Sequence, residues 1–294
     1  MRGKSGGPVL LYATAMMIYG TIGIFRRLIP LSSGMLACVR GLIGGCFLLG
    51  WIRLRGSRLR LGPEQRTLPL LILSGAMIGF NWILLFEAYN YTSVAVATLC
   101  YYMEPTFLIL AAPLLLGERM TPVKGLCAAV SLLGMVLISG ILGSDTLGKR
   151  DVTGILLGLG AAVLYTAVVI VNKKTPVADA SSKTVVQLFS AAGVLIPYLM
   201  LTERWSDISL TPAAVLLTLF VGIVHTGIAY ALYFGSMEKL PAQAVAVMAY
   251  IDPVLALILS ALVLGEAMLP LQLAGAVLII GAALVSQVFP RQKA

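Results

Sequence analysis

Two acids stand in the same local frame, each in the middle of a long apolar run. Tyr102-Met103-Glu104-Pro105 lies in a run from about Ser93 to Leu116, and Tyr250-Ile251-Asp252-Pro253 in one from about Ala242 to Leu264. A carboxyl group in hydrocarbon is costly, so by default it marks a working position. The chemistry open to it there is to receive an amine or to pick up and release a proton. The proline behind each acid removes a backbone donor and loosens the helix a turn earlier. Pro105 and Pro253 are therefore expected to kink their helices, and the acids have a second reading as caps of the turns so opened. Arg40 is the one basic residue inside an apolar run. Its guanidinium stays charged and must find a partner or water. It either pairs with Glu104, Asn81 or a carbonyl to fix packing, or meets an anionic group of a solute.

Other chemistries lack their parts. His225 is the only histidine, and neither H-E-x-x-H nor G-x-S-x-G occurs, so no zinc-hydrolase or serine-hydrolase motif is present. Cys38, Cys46, Cys100 and Cys127 lie in apolar runs without metal-ligand spacing. No metal, no cofactor and no enzymatic activity are expected. The net charge of +9 would suggest nucleic acid on a soluble fold, but here it is spread over short connectors, and no nucleic-acid partner is expected.

The elements that hold these residues are membrane helices. The chain is 59% hydrophobic and 11% charged, with a mean hydropathy of +0.97; soluble domains are about a quarter charged. Apolar runs long enough to span a bilayer are Pro8–Phe25, Gly34–Trp51, Leu68–Tyr89, Ser93–Leu116, Lys124–Leu142, Val152–Val171, Thr184–Leu201, Pro212–Phe234, Ala242–Leu264 and Leu269–Phe289. The first is longer than a signal-peptide core, so it is read as a retained helix. With the N-terminus inside, the cytoplasmic connectors collect fifteen Lys and Arg against five outside. By the positive-inside rule both termini are cytoplasmic.

A shift of 148 residues lays Tyr102 on Tyr250, Glu104 on Asp252, Pro105 on Pro253, and Gly117-Glu118 on Gly265-Glu266. It also matches Gly79 with Gly227, Trp82 with Tyr230 and Phe86 with Phe234. Five spans per copy is an odd number, so the second copy enters the bilayer upside down, as in secondary transporters that hold solute at the midplane between halves. The expected fold is an all-α polytopic membrane protein: ten transmembrane helices in two inverted repeats, residues 8–142 and 152–289.

At 1.5 Å per helical residue, Glu104 lies about 18 Å from the outer end of its span and Asp252 about 16 Å from the inner end of its own. Tyr19, Asn81, Trp82 and Tyr165 fall near that level, with Tyr230 nearer the outer side. Arg40 lies about 12 Å deep from outside. The candidate solute-binding or gating set is Tyr19, Arg40, Asn81, Trp82, Tyr101, Tyr102, Glu104, Tyr165, His225, Tyr230, Tyr250 and Asp252.

The duplicated acid–proline pair, the duplicated Gly-Glu and the Tyr91-Thr92-Ser93 lead-in to the fourth span resemble the EamA family of the drug/metabolite transporter superfamily. The resemblance covers about Pro8 to Phe289. It implies export, without ATP, of amino acids, amines or similar small metabolites across a cell membrane, of the bacterial inner-membrane type. The expected partners are a small solute and the lipid bilayer, with protons as a candidate coupling ion and a monomer or homodimer as the assembly. An importer of a vitamin or nucleobase on the same fold, or a non-transporting subunit of a lipid-translocating assembly, are the alternatives.

Overall fold

The computed structural model describes residues 6–60, 67–117, 120–138, 149–175, 179–203, 205, 211–237, 239–240, 245 and 248–288. Among them there is no strand, and the helices fall into ten spans. The first is Gly6–Gly20 continued by Ile22–Leu28 after a break at Thr21. The second, third and fifth are Ser33–Leu54, Thr67–Tyr91 and Pro122–Ile138. The fourth is split into Val94–Tyr101 and Glu104–Leu115. The sixth and seventh are Lys149–Lys174 and Ala180–Thr202. The eighth runs from Pro212 to Met237, with its middle, Val221–Ile228, wound in wider π turns. The ninth is described as helix over Ile251–Leu264 and the tenth over Pro270–Val288. Seven of the spans are long and apolar enough to cross a membrane, and Pro122–Ile138, Ile251–Leu264 and Pro270–Ser286 are shorter apolar helices.

Local chemistry sets the helix starts. The side chains of Ser32, Ser93, Asp179 and Thr211 accept the otherwise unpaired amides of Met35, Val96, Ser182 and Ala214, as N-caps do. The Asp179 cap begins the seventh span at Ala180, four residues before its apolar run, so Lys183 lies within the helix instead of ahead of it. At the far end of the ninth span, Gly265 takes the left-handed conformation (φ 66°) that stops a helix. Gly117 does the same (φ 69°) after the fourth, which is what the duplicated glycine does; Glu118 lies outside the described residues.

The packing carries the inverted symmetry. The fourth span lies against the ninth, the fifth against the tenth and the second against the seventh, while the third–sixth contact is mirrored by the eighth–first. These pairings join the two halves throughout, so any space left in the middle has walls from both.

Candidate functional site

A cavity of about 560 Å³ occupies that middle. At one end of the bundle it reaches Asn172, Ala180, Lys183 and Met237; toward the other it stops at Gly23, Thr98 and Ala256. Just beyond the stop, the Glu266 carboxylate gathers donors from several spans. It accepts Arg27 Nη2 at 2.9 Å, the free backbone amide of Val94 at 2.8 Å, and the Ser260 hydroxyl. Arg27 also donates to the Thr92 carbonyl at 3.0 Å. The chamber is thus open at the Lys183 end and latched at the Glu266 end.

The two acid–proline motifs face this chamber through their helix breaks. The fourth span is interrupted at Tyr102–Met103, with Pro105 in the first turn of the piece that follows. The ninth has a turn at Ala249–Tyr250 before its helix, with Pro253 buried in the first turn. The residues at the N-cap positions, Met103 and Tyr250, make no side-chain cap bond, and among the described residues neither carboxylate accepts a helix-start amide. Asp252 accepts the Tyr102 hydroxyl at 2.7 Å, a bond between the halves. Glu104 faces the cavity, and its backbone carbonyl accepts the Thr166 hydroxyl at 3.3 Å. A Cβ added to Gly20 would sit 2.8 Å from the Asp252 carbonyl; glycine there lets the first span close on the second motif.

Tyr19, Arg40, Trp82, Tyr101, Tyr102, Glu104, Tyr165, His225, Tyr230, Tyr250 and Asp252 all line the chamber. Tyr165 keeps 37% of its surface open while lining it. The tyrosines pack in a chain, with Tyr101 against Tyr102 and Tyr165 at 6.0 and 5.7 Å, and Tyr19 against Tyr230 at 5.8 Å. Phenol faces of this kind attract ammonium groups.

Two expectations are corrected. Asn81 is not a lining residue: it is 1% exposed, and its amide donates to the Ala161 carbonyl between the third and sixth spans. Its neighbour Trp82 lines the chamber, but Asn81 lies on a side of the helix that faces packing. Arg40 does not pair with Glu104 or Asn81. Its Nε donates to Thr226 Oγ1 at 3.0 Å, and its guanidinium lies 4.4 Å from the Trp82 ring and 5.3 Å from Phe86. The second span packs on the seventh and on the π-wound middle of the eighth, which brings Thr226 to it.

Gln187, Asn172 and Thr226 were not among the candidates from the sequence, and Lys183 was counted there only as a cytoplasmic connector charge. Gln187 donates to Ser74 Oγ at 2.7 Å and to Asn172 Oδ1 at 2.8 Å, forming a polar mouth with Lys183 at the open end. The Asp179-x-x-Ser182 spacing, a helix-start signal, would have pulled Lys183 into the span. Nothing in the sequence marks the π turns.

Inverted five-helix halves around a half-buried, acid-bearing chamber are the build of a membrane transporter. The model of the EamA-like transporter family matches residues 7–140 and again 152–287. The chain belongs to that family, whose members are transporters and not enzymes, spanning the membrane and moving small solutes. It is 28% identical over 258 residues to the uncharacterized transporter YxxF of Bacillus subtilis (87% of this chain, 82% of that one). It is 26% identical over 294 residues to the threonine/homoserine exporter RhtA of Escherichia coli (97% and 93%). A solved crystal structure at 20% identity covers 96% of this chain and 98% of its own with a TM-score of 0.67, a shared fold.

Proposed function

We propose that the protein exports a small amino-acid-like or amine solute across the cell membrane by alternating access, binding it in the chamber between its halves. Residues 8–142 and 152–289 are the two units that rock against each other. The observation that carries this reading is one chamber bearing an acid from each half, open at the Lys183 end and latched at the Glu266 end. The Lys and Arg bias supports an orientation with the open end and both termini in the cytoplasm, which is the loading position of an exporter. The likeness to RhtA, named a threonine/homoserine exporter, supports a solute of this class. Protons are the coupling ion this reading favours, since each half carries a carboxyl into the chamber.

The test is counterflow in liposomes holding the purified protein. Labelled amino acids, amines, nucleobases and vitamins are offered against an internal excess of the same compound. At least one amino acid or amine is expected to exchange well above protein-free liposomes, and an imposed pH gradient to change its net flux. Exchange confined to nucleobases or vitamins would overturn the solute class. Exchange of nothing in the panel would overturn the reading as a whole.

A further inference from the structure

Arg40 is a buried charge in the chamber wall, 5% exposed, with no ion-pair partner among the described residues. Among the described residues no carboxylate lies within 4.0 Å of it. Its one hydrogen bond there is from Nε to Thr226; the two terminal nitrogens make none. We propose that this open end of the guanidinium is the receptor for a solute carboxylate. The transported class is then the amino acid, or another amine that also bears an acid, and not the free amine. This rests on reading the chamber as the solute site.

The surroundings of Arg40 fit a receptor better than a brace. Trp82 and Phe86 flank the guanidinium, which fixes its plane, and the bond to Thr226 fixes its rotation. What is left free is the forked edge that matches a carboxylate with two parallel hydrogen bonds. The contact with the eighth span is tight by construction: a Cβ on Gly44 would collide with Thr226, so glycine there lets the Thr226 hydroxyl reach the arginine. A buried guanidinium without a counter-ion is expensive, and an arriving carboxylate removes that cost. A free amine leaves it in place and adds a further positive charge to the chamber.

Two more polar atoms of chamber-lining residues lack partners among the described residues. The Tyr19 hydroxyl and His225 Nδ1 are buried and unbonded among the described residues. The Thr21 hydroxyl lies 2.7 Å from the Ile18 carbonyl and 2.8 Å from His225 Nε2, and both bonds are made together only when it donates to the carbonyl and accepts from the ring. In that arrangement the ring proton sits on Nε2, and Nδ1 is an acceptor without a donor. A phenol and an imidazole nitrogen without partners thus belong to residues lining the same chamber as the guanidinium, as expected where a polar ligand completes the wall. The amine end of such a solute has Asp252 and Glu104 to meet on the fourth and ninth spans.

Trp82 provides the reporter. The chain has three tryptophans, and Trp51→Phe with Trp205→Phe leaves Trp82 alone against Arg40. Its fluorescence in the purified, full-length protein is titrated with phenylalanine, phenylalanine methyl ester and 2-phenylethylamine. Threonine, its methyl ester and 1-aminopropan-2-ol form a second matched set, and chloride is titrated in a gluconate background. In at least one set the acid is expected to bind about 10- to 100-fold more tightly than its ester and amine, the range for a hydrogen-bonded charge. Arg40→Gln removes the difference, and Arg40→Lys, which keeps the charge without the fork, retains part of it. Esters or amines that bind as well as acids overturn the proposal, and this arm needs no change at Arg40. So does acid preference surviving in Arg40→Gln, chloride saturating the signal with no further response to acids, or no response to any compound. Counterflow of free amines by the same preparation would overturn this inference while leaving the transport reading intact; no counterflow of any solute would remove both.

Discussion

In the ninth span the Asp252 carboxylate is held by a hydroxyl from the opposite half, Tyr102 at 2.7 Å. In the fourth span Glu104, its partner under the 148-residue shift, has no side-chain hydrogen bond or ion pair among the described residues. The two motifs share residue types, spacing, helix break and chamber, and differ in this engagement. The ends of the bundle differ in the same sense. One gathers the first, fourth and ninth spans on Glu266, while the other leaves Lys183 and Gln187 at an open mouth. A carrier built from two inverted copies cannot be open to one side and symmetric at once. On the alternating-access reading proposed above, the asymmetry belongs to the state seen, and the copies exchange surroundings when the chamber turns to the other side.

The strongest way to break this comparison is to neutralise each acid in turn. If the copies alternate, Glu104→Gln and Asp252→Asn both reduce counterflow by more than about 100-fold, a loss of roughly 2.7 kcal/mol or more, with the protein still monodisperse after purification. A Glu104→Gln carrier running at the normal rate would mean that the copies have separate jobs. The cross-half bond gives a smaller effect. Tyr102→Phe removes a hydrogen bond to a carboxyl, worth about 1.5–3 kcal/mol where the acid is charged, and is expected to slow counterflow about tenfold. Tyr250→Phe should do the same if the bond changes copies during the cycle. A loss from Tyr102→Phe alone would make the bond permanent bracing.

Much of this was legible in the sequence, for a physical reason. Hydrocarbon demands long apolar helices with paired backbones, so the ten spans stand out as runs, and an inverted duplication leaves its acids, prolines and glycines at one constant shift. Proline acts on the local backbone, so the breaks at Tyr102–Met103 and Ala249–Tyr250 follow from Pro105 and Pro253. Direction around the helix was not legible. A span apolar on every side carries no amphipathic stripe, and Asn81 and Trp82, at one depth, go to packing and to the chamber respectively. Partners far apart in the chain were hidden as well: Thr226 reaches Arg40 through π turns that no residue type announces, and Glu266 draws on Arg27, Val94 and Ser260 from three helical segments.

The latch gives the smallest effect and the sharpest separation of the two ends. Arg27 and Glu266 are 2.9 Å apart, with side chains 35% and 17% exposed, so solvent screens the pair and its contribution is about 0.2–1 kcal/mol. The shift that relates the halves places Thr175 opposite Arg27, so the open end carries no cation at that position. Arg27→Gln should therefore favour opening at the latched end without a matching effect at the other. Thr98, 4% exposed and lining the chamber toward the latch, is replaced by cysteine after the four native cysteines are changed to alanine. In liposomes of known orientation, an impermeant maleimide applied on the latched side should then label Thr98→Cys about two- to fivefold faster in Arg27→Gln. Glu266→Gln should go further, because the same carboxylate also holds the Val94 amide and the Ser260 hydroxyl. Raising salt to about 0.5 M should speed labelling of the protein that keeps Arg27 and leave Arg27→Gln unchanged, since only a charged pair is screened. Equal labelling with and without Arg27 at every salt concentration would mean that packing of the first and fourth spans, where a Cβ on Gly23 would collide with Val94, closes this end unaided.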